Sequence, residues 1–124
     1  MISINSCIKI VDNSGGLIFY CIKIYGKRKI KTKGNIGDVI IGSIKRSSRK
    51  KKKVKVGDLM KAVIVRIKRP IYLIDGSILN FSESGVILLS NKMQPVANRI
   101  FGPIPKKLVK KGFIKILSLT YATV

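Results

Sequence analysis

Residues 56–68 read Val-Gly-Asp-Leu-Met-Lys-Ala-Val-Ile-Val-Arg-Ile-Lys, and the last ten of them set the fold class. There Lys61, Arg66 and Lys68 break an otherwise apolar, β-branched run, which suits a strand better than a helix with its 3.6-residue period. An earlier run, DVIIGSIK at 38–45, is β-rich in the same way. Both open on the same device, Ile36-Gly37-Asp38 and Val56-Gly57-Asp58, twenty residues apart. Gly supplies positive φ and Asp bonds nearby backbone, so each pair is expected to form a turn just before a strand. Two occurrences are too few for a repeat architecture and read as a shared turn solution.

Outward from this pair the pattern stays β. Residues 17–25 are almost all apolar or aromatic with Lys23 the only charge, which predicts a strand buried on most of both faces. Asp75-Gly76, between residues 71–74 and 77–81, is a hairpin signal. Residues 85–89 (GVILL) form a short buried strand bounded by Asn91 and Pro95. Strands at intervals of roughly eight to twelve residues suggest a closed barrel or a sandwich, and closure would remove the edges that aggregate. The tail differs. Arg99-Ile100-Phe101-Gly102-Pro103 reads as an ordered loop, Pro105 can begin a short helix through about Lys111, and residues 113–117 fit a strand or a helical turn equally. The 124 residues suit a single domain, with a barrel over about 1–98 and a loop and short helices over about 99–124.

The charge is the strongest functional signal. Lys and Arg number 26 against 5 Asp and Glu, a net +21, while 46% hydrophobic residues argue against disorder. A folded monomer of this mass exposes roughly 6,600 Å², so evenly spread charges would lie about 18 Å apart. That exceeds the Debye length of about 8 Å. The charges are not spread: five cations fall within 27–33, and residues 45–55 hold eight cations and no acid. The second segment is expected to project as a loop or hairpin whose side chains reach phosphates. A membrane reading would want the cations on an amphipathic helix, and Lys interrupts every apolar stretch that could span a bilayer. Phe19, Tyr20 and Phe81 are expected in the core, leaving Tyr25, Tyr72 and Phe101 as exposed rings. With few rings for stacking and no RNP motif, the surface suits folded RNA recognised by shape and phosphate geometry.

Catalysis is poorly served. The chain has no His, and Cys7 and Cys21 lack CxxC spacing, so no metal or cofactor is expected and both thiols should be reduced and core or half-buried. Asp12, Asp38, Asp58 and Asp75 sit in turn sequences, and Glu83 has no carboxylate partner nearby. An enzyme would need Cys21 activated by cationic neighbours; a free single-strand binder or nucleic-acid chaperone is a further alternative. The first eight residues hold no basic residue and read as neither signal nor transit peptide. The bias to 22 Ile over 9 Leu and 20 Lys over 6 Arg is that of an AT-rich genome, as in many organelles and some bacteria.

An ordered set of motifs adds a resemblance. Val11-Asp12-Asn13-Ser14-Gly15, Cys21-Ile22-Lys23, Gly37-Asp38, Gly57-Asp58 with Lys61-Ala62-Val63-Ile64-Val65-Arg66, Asp75-Gly76-Ser77 with Phe81, and Arg99 through Pro103 together resemble the large-subunit ribosomal protein uL14 family from first residue to last. Ser84 stands where that family has Asn or Thr, Asn98 stands where relatives usually carry Thr, and the Lys run at 50–53 is heavier than in typical bacterial members. The resemblance implies a mainly β fold, a small five-stranded β-barrel with a short helical C-terminal part, bound to large-subunit rRNA beside ribosomal proteins L19 and L3. It also implies a bridge to small-subunit rRNA and a patch that receives a ribosome-silencing factor. On these grounds the expected rRNA contacts are Asn13, Ser14, Lys23, Arg28, Lys45, Arg46, Arg49, Lys51, Lys53, Arg66, Lys68 and Arg69. Asn98, Arg99, Phe101 and Lys115 are expected to face the other subunit or the factor. The expected location is a mitochondrial ribosome, with plastid or bacterial cytoplasm as alternatives.

Overall fold

The computed structural model describes residues 2–25, 30–31, 33–48, 54–120 and 123. In chain order the elements are β1 (Ile2–Ser3), β2 (Cys7–Ile10), β3 (Gly16–Tyr25), β4 (Ile30–Lys31), β5 (Lys33–Gly34), β6 (Val39–Ser47), β7 (Leu59–Arg66), β8 (Ile71–Tyr72), β9 (Ile78–Leu79) and β10 (Gly85–Leu89). A 3-10 segment (Lys106–Lys111) and α1 (Ile114–Ser118) follow. The main sheet runs β2-β10-β7-β6-β3, and β3 pairs back onto β2, so five strands close a barrel. The β10–β2 pair is parallel and the other four are antiparallel.

The two Gly-Asp turns are one structure used twice. Asp38 N–H donates to the Asn35 carbonyl at 3.1 Å and Asp58 N–H to the Lys55 carbonyl at 3.2 Å. Each Asp carboxylate in turn accepts from the backbone N–H at the turn's start, Asn35 at 2.8 Å and Lys55 at 2.9 Å. Gly37 and Gly57 have φ of +88° and +90°, where an L side chain would be strained. The first turn bonds to Ile64 of β7 and the second to Ile44 of β6, so each turn is tied to a neighbouring strand of the barrel.

Strand β3 departs from the sequence expectation. Its inward side is Phe19, Cys21 and Ile24, while Leu17, Ile22 and Tyr25 are exposed. A strand in a small barrel has one face inside, so the continuous apolar run does not mean two buried faces. A register shift between Cys21 and Lys23 leaves Ile22 and Lys23 both outward and restores Ile24 to the core. For the same reason Tyr20, expected in the core beside Phe19, is only half-buried, because consecutive strand residues face opposite sides.

Close packing fixes how β3 and β6 meet. A Cβ on Gly42 would lie 1.9 Å from the Tyr20 carbonyl oxygen, so no side chain fits there. By contrast Ala62 through Arg66 of β7 and the whole of β10 are buried, which means both of their faces are covered. Ile100, Ile104, Leu108 and Ile116 of the tail belong to the same apolar cluster. The tail is thus a second layer packed on the barrel. Its ambiguous end resolves as helix over Ile114–Ser118, and the segment after Pro105 is 3-10 rather than α.

Candidate nucleic-acid interface

The outward face of β3, β6 and β7 carries cations in register. Lys23 pairs with Ile41, and Ile41 with Lys61, which places two ammonium groups on one row across three strands. At about 4.8 Å per strand the two backbones are roughly 10 Å apart. Their mutual repulsion is then only about 0.4 kcal/mol in water before screening, small enough for the free protein to tolerate. Along the same face Lys45 holds its Nζ 4.9 Å from the centre of the Tyr20 ring. The Tyr20 hydroxyl donates to Asn5 Oδ1 at 2.9 Å, which fixes the ring beneath the ammonium. Arg46 follows, also exposed. This is a stiff, basic and shallow surface, suited to phosphates held in a fixed arrangement and unsuited to an enclosed substrate.

Lys61 was not among the expected contacts. In sequence it is one Lys in an alternating strand, and only its register opposite Ile41 and Lys23 makes it part of the face. Lys68 and Arg69 are exposed but lie past the C-terminal end of β7, outside the strand that carries Lys61. The structure therefore brings Lys23, Lys45, Arg46 and Lys61 onto the outward face of β3, β6 and β7, while Lys68 and Arg69 follow the end of β7. Of the segment expected to project, Lys45 and Arg46 are on the sheet, because β6 runs through Ser47, and residues 49–53 lie outside the described residues. Arg28, Arg49, Lys51 and Lys53 lie outside the described residues.

Two expected contacts turn inward. Ser14 is fully buried, its N–H and hydroxyl both donating to Asp12 Oδ1. Asp12 is itself buried, and its Oδ2 accepts from Leu88 N–H at 3.1 Å, so this carboxylate ties the turn to β10 as well as shaping it. Arg66 is only 8% exposed. Burial pushes its guanidinium down from its ordinary value, with the charge of Glu83 acting in the opposite sense. Both side chains hold loops, and their burial is set by packing that their polar types do not signal.

Asn13 belongs to the second group rather than to the sheet face. Its Nδ2 donates to Asn98 Oδ1 at 2.9 Å, its Oδ1 accepts from Arg99 N–H at 3.2 Å, and its own N–H donates to the Arg99 carbonyl at 3.1 Å. Asn13, Asn98, Arg99, Ser118, Leu119 and Thr120 border an open depression of about 480 Å³. Lys115 of α1 is near Asn98 across a neighbouring depression. Phe101 is 52% exposed, although Ile100 beside it is buried. Of the four residues expected to face a partner, Asn98, Arg99 and Lys115 thus border adjoining depressions, and Phe101 is exposed two residues beyond Arg99.

The thiols do not support catalysis. Cys21 is buried, which pushes its thiol up, the opposite of an activated nucleophile. Cys7 is exposed, not core or half-buried as expected, because the four residues of β2 alternate and Ile8 and Ile10 take the inner face. Glu83 forms a surface pair with Lys9 at 3.1 Å. Among the described residues no cluster of His, Cys, Asp and Glu could hold a metal ion. With this geometry in view, comparison with known families finds one whole-length match: the model described as ribosomal protein L14p/L23e covers residues 1–124.

Proposed function

The chain belongs to the L14p/L23e family and is a structural protein of the large ribosomal subunit; we propose that it binds and organises large-subunit rRNA through the outward face of β3, β6 and β7. The observation that carries this is the in-register row of Lys23, Ile41 and Lys61 with Lys45 and Arg46 beside it, on a closed barrel. Lys23, Lys45, Arg46 and Lys61 neutralise phosphates that would otherwise repel, and the closed sheet fixes the relative placement of the RNA segments they hold. Arg28, Arg49, Lys51 and Lys53, with Lys68 and Arg69 past the end of β7, extend the same role.

The group of Asn98, Arg99, Phe101 and Lys115 serves a second contact in this reading. It faces small-subunit rRNA across the subunit interface and receives a silencing factor when joining is blocked, with L19 and L3 as protein neighbours. A mitochondrial ribosome, its gene in an AT-rich organellar genome, fits the Ile and Lys bias. Sucrose-gradient sedimentation of ribosomes tests the core of this proposal. The chain should migrate with large subunits and, after ultraviolet crosslinking and digestion, yield rRNA adducts on peptides containing Lys23, Lys45 or Lys61. Recovery at the top of the gradient, or adducts confined to other faces, would contradict it.

A further inference from the structure

Arg66 ends β7 inside the molecule, yet its head group reaches the exposed loop 35 residues later. Its Nη2 donates to the Phe101 carbonyl. Gly102, at φ +84°, lies directly against the guanidinium: a Cβ there would sit 2.9 Å from Nη2 and 3.2 Å from Cζ and Nη1. The Nε of Arg66 is buried with no hydrogen-bond partner. Burying a cation with an N–H unsatisfied is costly, and a Met or Leu would fill such a site without that cost. Packing alone therefore does not explain an arginine here.

What the arginine adds is a charged tether on the one exposed stretch of the loop. Ile100 and Ile104 are fully buried and anchor its two ends, while Phe101, Gly102 and Pro103 between them are exposed. The Phe101 N–H donates to the Val11 carbonyl at 2.8 Å, and Thr120 Oγ1 donates to the Gly102 carbonyl at 2.9 Å. We propose that Arg66 is the positioning residue of this partner-facing loop, fixing the Phe101 carbonyl so that the Phe101 ring and Arg99 are presented in one orientation. The proposal rests on the intersubunit reading of the loop and adds the device that sets its shape. Gly102 is the second half of the device, since only a residue without a side chain lets the guanidinium approach.

Three full-length variants test it: Arg66→Met, Arg66→Lys and Gly102→Ala. Hydrogen exchange of the peptide spanning 99–103 and thermal unfolding are measured on the same preparations. A purely packing role ranks Met at or above Lys in both readouts, because Met buries no charge. A tether ranks them oppositely: Met matches or exceeds Lys in unfolding temperature, yet its loop amides exchange about tenfold to a hundredfold faster than wild type, with Lys in between. Gly102→Ala leaves Arg66 in the sequence but denies it the approach, and should speed exchange in the same peptide. Loop exchange that simply follows unfolding temperature across the three variants overturns the proposal. Large subunits carrying Arg66→Met should sediment normally but join small subunits at least severalfold less well. If the exchange order holds and joining is unaffected, the tether stands and the intersubunit reading of the loop falls.

Discussion

Replacing Lys23, Lys45 and Lys61 together by Gln removes three charges from one face without touching the core, since all three point outward. Each phosphate contact contributes about 0.7 to 0.9 to the slope of log affinity against log salt, depending on whether the RNA is single- or double-stranded. If each lysine holds one phosphate, the triple variant's slope is shallower by roughly 2 to 3. A fourfold rise in salt, from 50 to 200 mM, then weakens the variant about 20- to 40-fold less than it weakens wild type. Wild type, with six to ten contacts in all, should lose roughly 10³ to 10⁵ over that interval. Filter binding or fluorescence anisotropy on a large-subunit rRNA fragment at several salt concentrations gives both slopes directly. A control that replaces Lys106 and Lys107, exposed on the 3-10 segment of the tail and not on the sheet, should leave the slope much closer to wild type. Parallel slopes for wild type and the triple variant would show that these lysines are merely solvated and that the RNA lies elsewhere.

Other expectations concern the scaffold. Gly42→Ala forces a Cβ onto the Tyr20 carbonyl and should cost about 3 kcal/mol or more, lowering the unfolding temperature by roughly 10 °C or abolishing folding. A thiol reagent at neutral pH should label Cys7 promptly and Cys21 only after denaturation; equal rates in the native protein would contradict the buried placement and raised thiol pKa of Cys21. The Asp75 carboxyl is held below its ordinary value of 3.8, first by the Ser77 backbone N–H and then by the Ser77 side chain. Its contribution to the hairpin is thus complete above that ordinary value and is lost as pH falls through the lowered one. An NMR titration of Ser77→Ala should show Asp75 moving only part of the way back, since the backbone donor at 3.0 Å remains.

Much of the architecture was legible because β-strand sequence carries its own signals. Both Gly-Asp turns, the strand at 85–89 and the Asp75-Gly76 hairpin follow from local backbone chemistry, which needs no distant partner to be read. Residues 17–25 show the limit. The run is apolar throughout, and whether Ile22 and Tyr25 are inside depends on a bulge and on what lies across the sheet. The same limit governs the site. Lys23 and Lys45 are visible as cations in strands, but Lys61 joins them only through pairing register.

Composition and order of residues were enough to establish a folded, β-rich, strongly cationic chain of the L14 kind. Net charge and turn chemistry are additive or local properties, so they survive without coordinates. Which cations share a face, and that Ser14 and Arg66 lie inside, came from long-range packing. Burial depends on neighbours 35 to 76 positions away, such as Phe101 against Arg66 or Leu88 against Asp12, and no window along the chain contains both partners.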